Sequence, residues 1–217
     1  MLKDDRTLQA DVIRELSWEP AVTAAHIGVT ANGGAITLTG RVPTYGEKQH
    51  AVEAAERVFG VRAVADEIEI TFPGSHRRDD AAIAEAIAQV LRWDTQVPDT
   101  VEGRVCRGWV TLKGSVNWPF EREAAMRTIH HITAVRGITN EITVKSKPKT
   151  ADLRKRIEDA FTRMADLDAG QIQISIADGT VYLEGQVHSL QEAKVAENAA
   201  AAAPDVSEID NRLSVIP

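Results

Sequence analysis

The chain has 217 residues, 43% of them hydrophobic and 26% charged, and its 25 Lys/Arg against 32 Asp/Glu give a formal charge of −7. This is the composition of a soluble globular protein. No apolar run approaches the roughly 18 residues that suggest a membrane span, so no transmembrane segment is expected, and the acidic balance argues against nonspecific nucleic-acid binding, which would need a basic footprint, leaving open only a local one on the middle repeat. A single cysteine, Cys106, rules out an internal disulfide and fits a reducing compartment. The chain opens Met1-Leu2-Lys3-Asp4-Asp5-Arg6 with no apolar leader region. The expectation is therefore a cytoplasmic protein, the alternative being a periplasmic one from which a signal peptide has been removed.

The first element is a predicted helix with Leu8, Val12 and Leu16 on one stripe. A hairpin follows, turning at Asn32-Gly33-Gly34, where Gly and Asn tolerate the positive φ of a tight turn. Its second strand reads Ile36-Thr37-Leu38-Thr39-Gly40-Arg41-Val42, with Ile36, Leu38 and Val42 on one face by period-2 alternation. Gly40 shares that face, and a glycine there predicts a bulge or a helix crossing too close for a Cβ. Thr44 and Glu47 have capping-box spacing for a second helix, whose expected stripe is Val52, Ala55 and Val58/Phe59. A last strand runs from Val64 to Ile70.

The same series recurs twice. Gly40, Gly114 and Gly185 lie 74 and 71 positions apart, each inside the pattern apolar-x-Leu-x-Gly-x-Val. The first helices repeat as Ile83, Ile87, Val90/Leu91 and as Leu153, Ile157, Phe161/Met164, with N-caps sought in Asp79-Asp80 and Thr150-Ala151-Asp152. The turns repeat as Arg107-Gly108 and Asp178-Gly179. The second helices open at Asn117 with Pro119 and at Ser189 with Glu192, and their stripes are Ala125, Ile129, Ile132 and Val195, Ala199. The last strands are Ile138 to Val144 and Ile209 to Val215. A fixed period of this kind sets the architecture. The fold class is α+β: three tandem α-β-β-α-β repeats, each a three-stranded mixed sheet with two helices on one face. The domains are expected at residues 1–72, 77–146 and 150–217, joined by short Pro- and charge-rich linkers that favour docking into a compact array. Gly40, Gly114 and Gly185 are structural signature positions rather than ligand loops.

No catalytic constellation is present. His26, His50, His76, His130, His131 and His188 read as scattered, with no Cys or carboxylate at metal-ligand spacing. No Ser or Cys sits beside a plausible base, and no Walker or GxGxxG pattern follows a strand. The expectation is no enzyme, no metal and no cofactor.

On these residues, and on the later string Val-x-x-Val/Ile-x-Asp/Asn-x-apolar-x-apolar (Val61 to Ile70, Val135 to Val144, Val206 to Val215), the repeat resembles the BON domain, a module of bacterial osmotically inducible and nodulation-associated envelope proteins. The resemblance covers nearly the whole chain, and Leu16-Ser17-Trp18-Glu19-Pro20, Leu91-Arg92-Trp93-Asp94 and Val116-Asn117-Trp118-Pro119-Phe120 add to it. It implies a noncatalytic module that attaches proteins to phospholipid membranes, with links to osmotic stress and envelope integrity. Some members are described as chaperone-like, and one cytoplasmic branch pairs the domain with a peptidoglycan-type module and binds potassium, a module this chain lacks.

The middle repeat is the electrostatic exception: 10 basic against 9 acidic residues over 73–146, compared with 7 against 11 over 1–72 and 8 against 12 over 147–217. By parity Trp109 and Lys113 point away from its core, and Arg104 and Arg107 lie on the partner strand and turn. With Trp118 these form the candidate contact for anionic phospholipid or a protein partner. The alternative is that Trp109 fills a contact between repeats and the cations are solvated. Trp18 and Trp93 are expected to anchor their helices to the sheets, and Trp118 reads as a staple or a contact point. The function expected is a stress-linked protein binding anionic membrane surfaces or an envelope-proximal partner. The alternatives are a chaperone-like or self-assembling module and a monovalent-ion sensor.

Overall fold

A computed structural model describes residues 3–72, 79–145, 153–164, 167, 169–177, 180–203, 206 and 208–216. The first repeat comprises α1 (Asp5–Trp18), β1 (Ile27–Asn32), β2 (Ala35–Val42), α2 (Tyr45–Arg57) and β3 (Ala63–Ile70). The second comprises α3 (Asp80–Trp93), β4 (Glu102–Cys106), β5 (Trp109–Val116), α4 (Pro119–His130) and β6 (Gly137–Val144). The third comprises α5 (Leu153–Arg163), β7 (Ile172–Ala177), β8 (Thr180–Val187), α6 (Leu190–Ala201) and β9 (Glu208–Val215). In each sheet the signature strand is central, antiparallel to its hairpin partner and parallel to the last strand. The fold class is thus the one the repeat pattern predicts.

Each repeat has its own core, built from the inward parity of its sheet and the stripe of its first helix: Leu8, Val12 and Leu16 on α1, Ile83, Ile87 and Leu91 on α3, Leu153, Ile157 and Phe161 on α5. No polar or charged residue is buried among those described. Asp79 caps α3 by accepting from the Ala82 amide, and Asp4 does the same for α1 through Thr7. The expected caps at 150–152, the Asp178-Gly179 turn and most of both linkers lie outside the described residues.

Three local expectations need correcting. On α4 the expected stripe holds, with Ala125, Ile129 and Ile132 buried, whereas α2 and α6 turn small residues to their sheets: Ala51, Ala54 and Ala55 on α2, with Val58 buried as expected, and Ala193, Ala196 and Ala200 on α6, while Val52 and Val195 are half-buried and Phe59 is exposed. Small residues let these helices lie close to the strands. The cap of α4 is Trp118, one residue later than expected, with Pro119 in the first turn. The Glu121 carboxylate accepts from the amides of both Asn117 and Trp118, as Glu192 accepts from His188. Finally, Gly40, Gly114 and Gly185 face neither a bulge nor a helix. All three have strongly positive φ (+131°, +139° and +138°), and a Cβ would collide with the backbone carbonyl of His26, Thr100 or Gln171, one or two residues before the neighbouring strand opens. Only glycine meets both conditions.

The Asp/Asn of the later string has a local task. Asp66, Asn140 and Asn211 each accept from the amide two residues on (Ile68, Ile142, Leu213), satisfying a backbone donor of an edge strand. The repeats meet through α2, α4 and α6, each of which touches the other two. Tyr45 packs against the middle core and Leu190 against the first. These two residues open α2 and α6, so the start of α2 is seated on the middle repeat and the start of α6 on the first.

Candidate functional site

The outward face of the middle sheet is assembled by β-register. Arg104 lies opposite Thr111, Cys106 opposite Trp109 and Glu102 opposite Lys113; on the other side Trp109 lies opposite Gly137 and Lys113 opposite Glu141. Trp109, Lys113 and Arg104 therefore share one face, and Arg107 stands at its rim in the turn. Trp109 is 51% exposed. Its indole N–H donates to the Thr139 hydroxyl at 2.8 Å, and its ring lies across Gly137, where a Cβ would sit 2.6 Å from the ring. The ring is thus spread over the strand surface rather than projecting from it, and Gly137 gives it room.

The charges on this face are unequal in freedom. Lys113 pairs with Glu141 at 3.0 Å. Arg104 and Arg107 are exposed and form no ion pair among the described residues. The Arg107 backbone is held in the left-handed region (φ 53°), and the amides of Arg107 and Gly108 donate to the Asp80 carboxylate at 2.6 and 2.8 Å. The turn that presents Arg107 is therefore tied to the start of α3. Trp118 is not on this face: it caps α4, half-buried, with its ring stacked on Phe120.

The outward faces of the other sheets differ in kind. On the third, Arg212 lies over the Tyr182 ring but is held by Glu184 at 3.2 Å and Asp210 at 2.7 Å. On the first, Arg41 pairs with Glu69 at 3.1 Å and no aromatic residue is present on β2.

Trp18 and Trp93 do not anchor their helices to the sheets. They are 84% and 77% exposed, because each stands two residues beyond the last stripe leucine, about 200° around the helix. They are the most solvent-exposed large apolar side chains among those described.

The histidines are not scattered either. His130 meets the Tyr45 ring edge-on at 5.4 Å between centroids, His50 and His131 face one another at 6.4 Å, and His188 stacks on Phe59 at 6.1 Å. Four of the six therefore converge on the seam between the second helices. No group of three or more His, Cys, Asp or Glu among the described residues could hold a metal ion, and no described helix is long and apolar enough to cross a membrane.

Comparison with known proteins agrees with the repeat. The family model described as BON domain matches residues 4–71, 79–146 and 149–217. Osmotically-inducible protein Y of Escherichia coli (strain K12) is 25% identical over 147 residues, covering 65% of this chain and 73% of that protein. Among solved structures, the C-terminal domain of CdsD, a structural protein of the type III secretion system of Chlamydia trachomatis, aligns with 99% of this chain and 100% of its own at 13% identity and a TM-score of 0.28, too low to carry an argument. With three matches across almost its whole length, the chain belongs to the BON domain family.

Proposed function

We propose that this protein is a noncatalytic, stress-linked adaptor that binds anionic phospholipid surfaces through the outward face of its middle sheet. The observation that carries the reading is the half-exposed Trp109 beside two guanidinium groups, Arg104 and Arg107, that have no ion pair among the described residues, on an otherwise acidic molecule. An indole lying flat at headgroup depth, with cations free to meet lipid phosphates, is the combination that such an interface rewards. Lys113 joins when a phosphate displaces Glu141, whereas Trp118, which caps α4, takes no part in this face. The link to osmotic stress rests on the similarity to Osmotically-inducible protein Y.

Flotation with phosphatidylcholine vesicles, with and without phosphatidylglycerol, tests this. Binding is expected only with the anionic lipid, at low salt, and is expected to be lost in the Trp109→Ala, Lys113→Glu double variant. Absence of binding overturns the function, and binding unaffected by the double variant overturns the site. If Trp93→Ala alone abolishes flotation, the contact belongs to the helix end instead.

A second reading has one observation of its own. Strands β1, β4 and β7 each pair on one side only, so their free edges could receive an extended client segment, as a chaperone-like module would. Suppression of client aggregation without any lipid binding would favour it.

A further inference from the structure

We infer that the docking of the three repeats is proton-controlled, with His130 as the sensing residue at the seam between α2, α4 and α6.

The imidazole of His130 closes α4 where it meets α2, edge-on to Tyr45, and the backbone carbonyl of His130 approaches Gly46 so closely that a Cβ there would sit 3.2 Å from it. Its Nε2 is fully buried and has no hydrogen-bond partner among the described residues. A neutral ring tolerates that position, since Nε2 can be left as a bare acceptor. A protonated ring does not, because the buried nitrogen becomes a charged donor with nothing to donate to.

The surroundings offer little compensation. From α2 the facing groups are Tyr45, His50 and Glu53; from α4, His131; from α6, Lys194, with Glu56 of α2 beyond Glu53 and Lys194. Glu53 is the opposite charge that acts on His130, and it already pairs with Lys194 at 3.6 Å. His50, His131 and Lys194 would each repel a second positive charge. Burial holds His130 below the ordinary histidine range, with His131, Lys194 and His50 adding to that effect and Glu53 opposing it.

Because the docked His130 binds its proton less readily than an undocked one, docking is fully stable above the ordinary histidine value of about 6.5. It weakens as the pH falls below that value and levels off beneath the depressed docked one. Glu56 runs the other way. Burial raises its pKa, so its protonation favours the docked state, but at carboxylate pH. The first effect of acidification is therefore loosening. What loosening exposes is the seam, with the few apolar contacts that Tyr45 and Leu190 make across it, while the three cores remain intact.

Small-angle scattering of the full chain between pH 7.5 and 5.5 tests the idea, with far-ultraviolet circular dichroism as a check on folding. The expected result is a radius of gyration near that of a compact chain of this length, about 17 Å, at pH 7.5, rising by several ångströms at pH 5.5 with the dichroism unchanged. The His130→Gln variant, which cannot be protonated, is expected to stay compact at both. A wild-type chain that does not expand, or a variant that expands equally, overturns the proposal. Should His130→Gln misfold, hydrogen exchange of the wild type decides. Loss of protection at pH 5.5 confined to α2, α4 and α6 supports the inference, and uniform loss or none contradicts it.

Discussion

The inward faces of the three sheets and the seam between the second helices are both interiors, yet they are built on opposite rules. Along the inward faces the repeats agree residue for residue in character: Ile36/Val110/Val181, Leu38/Leu112/Leu183, Gly40/Gly114/Gly185 and Val42/Val116/Val187, every apolar member inaccessible. The seam residues His50, Glu53 and His130, by contrast, have no counterpart of their kind at the equivalent positions of the other helices: His50/Ala124/Val195, Glu53/Arg127/Asn198, Glu56/His130/Ala201. An apolar core fixes each repeat and responds little to solution conditions. A polar seam joins the repeats weakly and can titrate. The divergence is also what distinguishes the outward faces, where the middle copy alone carries Trp109 with arginines that have no ion pair among the described residues.

The largest effect is expected on the inward side. Gly114→Val combines φ +139° with a collision against the Thr100 carbonyl, so a loss of roughly 3–5 kcal/mol is expected in urea unfolding. A loss below 1 kcal/mol would show that the strand relaxes there. Leu112→Ala empties a fully buried site and should cost about 2–5 kcal/mol by the same measurement. On the outward face, Trp109→Ala removes ring packing over Gly137 and the bond to Thr139, which predicts about 1 kcal/mol. A cost as large as that of Leu112→Ala would make Trp109 a stabilising residue before anything else. At the seam, Lys194→Ala breaks a long, solvent-screened pair with Glu53 and should change stability by less than about 1 kcal/mol. A larger loss would mean that the seam is not the weak joint described.

How much of this was readable beforehand follows from the range of the interactions. The strand faces, the turns at Gly33-Gly34 and Gly108 and the first-helix stripes were legible because period and φ are local properties. The exposure of Trp18 and Trp93 was legible too, since both fall off the stripe by two residues, but the resemblance between the two positions suggested a shared anchor. The cap of α4 followed from the repeat register, which aligns Thr44, Trp118 and Ser189; Asn117 looked better only because its side chain can accept. The seam was not legible. His50 and His130 are 80 positions apart, and only the packing of one repeat on another brings them together. The positive φ of the signature glycines was hidden for a similar reason, since the carbonyl they avoid enters from the neighbouring strand. Of the candidate site, parity placed Trp109, Lys113 and Arg104 on one face, whereas the Glu141 partner and the Gly137 bed depend on the pairing of β5 with β6.

Tryptophan fluorescence reads the contact between Trp109 and an anionic surface directly. Four variants of the full chain, each keeping a single tryptophan (Trp18, Trp93, Trp109 or Trp118) with the others changed to Phe, would be titrated with phosphatidylglycerol vesicles. A blue shift of the Trp109 emission that salt reverses is the predicted result. A silent Trp109, with the shift carried by Trp18 or Trp93, would contradict it.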